Sequence, residues 1–364
     1  MVNVVFRVDA SYRIGAGHAV RCLALANVLG GLGSKIWFVC RHLPDTLAAK
    51  VRSGGHEIFM LPPALTGLDD IDRGTHADWL GTSAKEDARQ TKEAIRGLRR
   101  PWLIVDHYAL DCRWENAIRE IASGIMVIDD LADRAHDCDL LLDQNYYSDS
   151  LARYHQLVPS DATCLFGPQY ALLHPQFSAT RARSGSAQSD RLFVSVGSND
   201  PFRIGIKVVQ ILRGRVSNHL GADIVMGTDA AAFLETSIAA DGLSCVNVHG
   251  FSDKIADLMA RCTAAIGAAG TSTWERCAMG LPSIVVITAD NQRKMAADLA
   301  QIGAIMLLGD AARVSAEMLS GAVTDLMGNP ALRSRMRLDI MNLVDGQGAY
   351  RVANRVLEVA QCTV

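Results

Sequence analysis

Short apolar runs alternate along this chain with stretches in which apolar residues recur at the period of a helix. The first run, residues 4–8, leads to Gly15-Ala16-Gly17-His18. From Ala19 the apolar residues return at helical spacing (Val20, Leu23, Leu25, Ala26), which predicts a strand, a glycine turn and a helix in succession. Further strand patterns lie at 36–40, 57–61, 102–106, 125–129 and 139–143. Strands alternating with helical stretches predict βαβ units and a parallel sheet. Residues 181–191 are polar, Ser-rich and aperiodic, as a linker is. The alternation then restarts, with strands predicted at 192–196, 222–226, 244–248, 264–267, 283–287 and 304–308 and a helix from about Arg203. The expected fold is α/β, two doubly wound Rossmann-like domains facing across a cleft. Residues 1–180 form the first, 181–191 the linker and 192–364 the second. A last helix over 349–358, preceded by Gly346 and Gly348, has the position to cross back onto the first domain.

Length agrees with two domains, because 364 residues exceed what a single core usually supports. A 49% hydrophobic and 21% charged composition is that of an ordinary globular protein. A net charge of -3 offers no basic surface for nucleic acid. No uninterrupted apolar stretch of about 18 residues is present, so no membrane span is expected. The pattern starts directly with a strand and no signal peptide precedes it, which predicts a cytoplasmic location. The nine cysteines are scattered without C-x-x-C spacing, so neither a zinc site nor a disulfide framework is expected, and no metal or cofactor is implied.

Candidate chemistry starts at the first turn. Gly15 and Gly17 let the backbone turn sharply and let a ligand approach. The free N–H groups and positive dipole end of the following helix favour an anion. The same field disfavours a second positive charge, so His18 is expected to stay neutral, as a general base must. The pattern is not the dinucleotide fingerprint, since Val20 stands at the third glycine position. Four strands of the first half end in or near an aspartate: Asp9, Asp106, Asp129 and Asp143. Ligands bind outside the carboxyl ends of such strands, so an acidic-lined cleft is expected there. Asp9, Asp106 and Asp129 are equally placed to orient His18.

In the second half, Gly197 follows the first strand. A later strand ends in Gly267-Ala268-Ala269-Gly270-Thr271-Ser272-Thr273-Trp274-Glu275. Small residues there admit a diphosphate, and hydroxyls and N–H groups bind its oxygens. Glu275, one turn on, suits the two hydroxyls of a ribose. Ser272 to Glu275 also fits an ordinary capping box. Asn291 and Gln292 carry amides that donate and accept, as sugar hydroxyls and N-acetyl groups require, although Asp290 or Asn291 also fits a simple N-cap. Phe251 follows a strand end at a turn, where it has the choice of packing on a base or in the core.

With Arg7 to Ser11, Ile14 to His18, Arg21 to Ala26, Asp106 to Tyr108, Val127 to Ala132, Asp143 to Asn145, Gly270 to Glu275 and Asp290 to Gln292 in hand, the chain resembles the UDP-2,4-diacetamido-2,4,6-trideoxy-β-L-altropyranose hydrolases of pseudaminic acid biosynthesis, the route to flagellin glycosylation. The resemblance implies a GT-B fold, with a UDP-sugar substrate and water as partners; a single displacement is expected to invert the anomeric carbon, and helix N-termini near Gly270 can neutralise the departing diphosphate without a metal. It implies His18 as the base that activates water and Tyr108 and Asn291 beside the sugar. Thr271, Ser272 and Thr273 would hold UDP, with Glu275 on the ribose. Asp106, Arg21 and Gln292 lie within the matching segments and are expected to contact substrate. Where a second Gly and then Ser or Thr would follow Gly197, this chain has Ser198-Asn199. More distantly the chain looks like the lipid-linked N-acetylglucosaminyltransferases of cell-wall synthesis. Two other functions compete, a GT-B glycosyltransferase with a UDP-sugar donor and a nucleotide-sugar binding module without turnover. Residues 61–80 are too polar and acidic for a membrane patch that would favour the transferase.

Overall fold

The computed structural model describes residues 2–63, 76–184, 190–197, 200–214, 220–227, 230–250 and 252–362. The chain divides into two units, Met1–Asn145 with Asp149–His174 and Gln347–Val364, and Tyr146–Ser148 with Pro175–Gly346.

The first unit is built on strands β1 (Asn3–Val8), β2 (Lys35–Cys40), β3 (Glu57–Met60), β4 (Trp102–Asp106), β5 (Gly124–Ile128), β6 (Leu140–Asp143) and β7 (Thr163–Phe166). They pair in parallel in the order β3-β2-β1-β4-β5-β6-β7. Parallel strands are buried on both faces and therefore read as near-continuous apolar runs. Alternate residues of β1 go to opposite sides: Val4, Phe6 and Val8 pack with the helix Gly17–Gly31 and the last helix Gly348–Cys362, while Val5 joins Leu103, Leu80, Ala88 and Trp114. Chain order reverses between β1 and β4, and in open parallel sheets ligands bind outside the carboxyl ends of the strands at such a switch point.

The second unit repeats the plan with β8 (Arg191–Ser195), β9 (Gly221–Val225), β10 (Val246–His249), β11 (Ala264–Ala268), β12 (Ser283–Ile287) and β13 (Met306–Asp310). Their order is β10-β9-β8-β11-β12-β13, all parallel, with its switch point between β8 and β11.

The predicted strands are found within a few residues. The sequence pattern omits β7, a short edge strand whose Thr163, Cys164 and Phe166 are only half-buried. The boundaries also differ from a break at 181–191. The helix Gln176–Thr180 and the turn Arg181–Arg183 belong to the second unit, where Arg181 donates to the carbonyls of Ala278 and Met341 at 3.0 and 2.6 Å. Residues 185–189 of the expected linker lie outside the described residues. The last helix returns to the first unit, where a Cβ on Gly348 would stand 2.3 Å from the carbonyl oxygen of Ala171. Among the described residues no helix is long and apolar enough to cross a membrane.

Candidate functional site

The turn after β1 is closed by Gly15, whose φ of 83° lies in the left-handed region that glycine tolerates, and by hydrogen bonds from Gly15 N to Ser11 O and Ile14 N to Ser11 Oγ. Gly17 opens the helix Gly17–Gly31, and no side chain caps that end. This puts His18 on the first turn, at the switch point of the first sheet, and buried to about nine-tenths.

Of the three aspartates able to orient His18, the structure selects Asp106, the last residue of β4. His18 Nδ1 lies 2.6 Å from Asp106 Oδ1. Arg21, one helical turn on, grips the same carboxylate with both arms, Nε to Oδ2 and Nη2 to Oδ1, each at 2.7 Å. Burial alone would raise the Asp106 carboxyl, but Arg21 and His18 hold it well below the usual carboxylate range. An ionised Asp106 only accepts, so Nδ1 donates to it and a neutral ring keeps its lone pair on Nε2. The 3.3 Å approach of Arg21 Nη2 to Nδ1 follows from both groups sharing Oδ1. Asp106 and Arg21, both expected to contact substrate, are buried, and here they hold each other and the imidazole.

Tyr108 stands beside the ring, edge to face, with centroids 4.6 Å apart. Its hydroxyl donates to Asp130 Oδ1 at 2.5 Å, and Asp130 in turn accepts from Arg21 Nη1 at 3.1 Å. Burial and the Asp130 charge push the phenol well above its ordinary pKa. A closed chain of His18, Asp106, Arg21, Asp130 and Tyr108 results.

The acidic-lined cleft is corrected in the same way. Asp9, Asp106, Asp129 and Asp143 are all buried and countered. Asp9 accepts from Arg7 Nη2 and from the N–H groups of Arg41 and His42, and Asp129 from Ala132 N and Tyr154. Asp143 accepts from Arg153 Nη1 at 2.7 Å, yet burial and the neighbouring Asp130 push its carboxyl up to about 8. Uncompensated carboxylates at the strand ends would cost too much to bury, so each has acquired a partner.

In the second unit, Gly197 leaves β8 with a φ of 110°. The N-terminus of the next helix, Ile204–Gly214, is already occupied by an anion of the chain itself, since Asp200 accepts from Ile204 N at 2.9 Å and Gly205 N at 2.8 Å. The departure noted at Ser198-Asn199 thus stands beside a helix terminus that the chain's own carboxylate caps. Ser198, Asn199 and Phe251 lie outside the described residues.

At the other side of the switch point, β11 runs into Ala269-Gly270 and the short helix Ser272–Ala278. No side chain caps this helix, so the capping box is absent. Instead Arg276 reaches back to hold the turn, donating to Ala268 O at 2.8 Å, Thr273 Oγ1 at 3.1 Å and Ser272 Oγ at 3.0 Å. Gly267 is required beneath it, because a Cβ there would stand 2.4 Å from Arg276 Nη1. Thr273 is buried by this arrangement, while Gly270, Thr271 and Ser272 are partly exposed. Burial pushes the Glu275 carboxyl up to about 7. Gln292 turns its Oε1 back to accept from Thr288 N and Oγ1 at 3.0 and 3.2 Å, and its Nε2 lies 3.8 Å from the position of a Cβ on Gly270. Asn291 is exposed, and neither it nor Asp290 caps the turn Asp290–Gln292. The parallel pair β11–β12 therefore ends with the Gly270 turn beside Gln292.

Two residues of the first unit escape a reading of the sequence. His76 and Trp79 pack on Tyr108 with ring centroids at 5.2 and 5.5 Å. They fall in an aperiodic polar stretch, and only the three-dimensional neighbour reveals them.

Comparison with known proteins follows the same division. Residues 191–346 match the glycosyltransferase family 28 C-terminal domain. The chain is 28% identical over 191 residues to the spore coat polysaccharide biosynthesis protein SpsG of Bacillus subtilis, covering 51% of this chain and 56% of that protein. It is 25% identical over 212 residues to the UDP-2,4-diacetamido-2,4,6-trideoxy-beta-L-altropyranose hydrolase of Campylobacter jejuni, covering 58% and 66%. It is 33% identical over 184 residues to a pyrophosphoryl-undecaprenol N-acetylglucosamine transferase of Sorangium cellulosum, covering 47% and 44%. Each match thus spans less than two thirds of its relative. Among solved structures, MurG of Acinetobacter baumannii superposes with a TM-score of 0.66 at 14% identity, covering 98% of this chain and all of that one. The UDP-GlcNAc 2-epimerase of Neisseria meningitidis gives 0.64 at 11%, covering 98% and 99%. The chain has two parallel-sheet Rossmann-like domains of the GT-B kind, and its residues 191–346 match the glycosyltransferase family 28 C-terminal domain.

Proposed function

We propose that this protein hydrolyses a UDP-linked 2,4-diacetamido-2,4,6-trideoxy sugar to UDP and the free sugar. The observation that carries the reading is the His18–Asp106 contact at the first switch point: it fixes the tautomer and leaves Nε2 as the acceptor for a proton. The likeness to the Campylobacter jejuni hydrolase supports the choice of substrate.

In this account the second unit holds UDP, with Gly270, Thr271 and Ser272 on the diphosphate and Glu275 on the ribose, while Asn291 and Gln292 reach toward the sugar. Water gives its proton to His18 Nε2 and its oxygen to the anomeric carbon as the bond to UDP breaks. A single displacement inverts that carbon. General-base help contributes roughly 10² to 10⁴ in rate, and N–H groups aimed at the departing diphosphate supply the other large part. No step calls for a metal, so turnover is expected to survive a chelator.

The Sorangium cellulosum relative favours a second reading, a glycosyltransferase in which a hydroxyl replaces water. Phosphorus NMR of the purified protein with the UDP-sugar and no acceptor separates the two. Hydrolysis predicts release of UDP by the wild type and a loss of about 10²-fold or more in His18→Ala, with UDP affinity retained. Release of UDP only after an acceptor hydroxyl is supplied establishes the transferase, and binding without release under either condition establishes a binding module.

A further inference from the structure

The His18 site has an aromatic wall that general-base chemistry does not use. Trp79 lies nearly parallel to Tyr108, at 28° with centroids 5.5 Å apart, and His76 packs against both, 4.5 Å from Trp79 and 5.2 Å from Tyr108. Tyr108 in turn meets His18 edge-on. The segment is tied to the glycine turn from the other side, where Arg13 Nη2 donates to the neighbouring Asp78 at 3.2 Å. Tyr108 itself is fixed by Asp130 and overlain by the Arg134 guanidinium at 5.9 Å, so the wall has a rigid base.

Its exposed part is not a core surface. His76 and Trp79 are only half-buried. Among the described residues, neither the Trp79 indole N–H nor the His76 ring nitrogens have a hydrogen-bond partner. Burial pushes the His76 imidazole below its ordinary pKa, with Asp133 opposing and Arg134, His18 and His107 adding to the shift. The exposed part of the wall is therefore a π surface with unused polar edges, one ring removed from the candidate base.

Such a surface suits a particular ligand chemistry. The C–H face and methyl groups of a sugar pack on aromatic faces, and an acylamino carbonyl accepts from an indole N–H. A fully hydroxylated hexose has fewer apolar groups to offer. We propose that His76 and Trp79, backed by the buried Tyr108, form an aromatic subsite that takes the apolar face of a deoxy, N-acylated hexose beside His18. This deepens the sugar-nucleotide reading and rests on it for the identity of the sugar.

Saturation-transfer NMR on the full chain with free 2,4-diacetamido-2,4,6-trideoxy-L-altrose, and with glucose as the control, tests the subsite without UDP. The wild type is expected to saturate the acetamido and C6 methyl protons most strongly and glucose weakly. Trp79→Leu keeps bulk but loses the π face and the N–H, and is expected to bind the diacetamido sugar about tenfold more weakly, whereas Trp79→Phe keeps most of the binding. Absence of saturation transfer in the wild type, equal transfer to glucose, or a Trp79→Leu variant that binds like wild type overturns the proposal. UDP titrated into the same samples keeps the two readings apart: UDP that fails to bind the wild type refutes the nucleotide assignment, while the sugar result still decides the subsite.

Discussion

At the scale of single residues, the account turns on how a carboxylate orients an imidazole. Asp106 accepts from His18 Nδ1 and is itself held by both arms of Arg21. Asp106→Asn has an amide in that place, which can present N–H to the ring and reverse its tautomer. Turnover is expected to fall by about 10²-fold or more, with UDP affinity unchanged. An equal loss of both in a folded variant would mean that Asp106 acts on the nucleotide instead. Glu275 gives a prediction of the opposite kind. Its carboxyl is raised to about 7, so the ionised acceptor that a ribose needs forms only as the pH rises through that value. Uridine, which does not titrate in this window, is expected to bind about tenfold more tightly at about pH 8 than at about pH 6, and calorimetry on Glu275→Gln is expected to show no such slope. A wild-type affinity independent of pH would remove Glu275 from the ribose.

The same scale shows how far residues were readable. His18 behind two glycines is visible as a motif because strand, turn and helix each have a local signature. Which aspartate faces it is not visible, since Asp9, Asp106 and Asp129 occupy equivalent places on their strands and differ only in the strand order that the fold supplies. That Asp200 fills its own helix terminus is likewise invisible in the sequence, because the cap depends on how the turn after β8 closes.

At the scale of elements, buried parallel strands announce themselves as apolar runs, and all but β7 were readable that way. β7 is short, polar at its start and at the sheet edge, so it lacks the two-sided burial that makes the signal. The last helix was readable as a helix from its apolar spacing, but its docking depends on Gly348. A Cβ at that position would lie 2.3 to 2.6 Å from backbone atoms of Tyr170 and Ala171, which no rotamer change can relieve. Gly348→Ala is therefore expected to lower the stability of the first unit by about 1 to 3 kcal/mol, read as a lower midpoint in denaturant with little change in slope. A midpoint equal to wild type would show that the helix does not dock as described.

At the scale of the whole molecule, two sheets of the same topology each bring a different set of groups to the switch point. The first assembles an oriented imidazole beside an aromatic wall, and the second a small-residue turn braced by Arg276. In the proposed reaction the second unit holds the nucleotide and the first activates the nucleophile, which is water at the anomeric carbon. Turnover of the UDP-diacetamido sugar in ¹⁸O-labelled water, followed by mass spectrometry of both products, tests this most directly. The account predicts label at C1 of the released sugar, none in UDP, and little release from His18→Ala. Label in the phosphate of a nucleotide product would place the attack on phosphorus and contradict it, as would an unlabelled sugar.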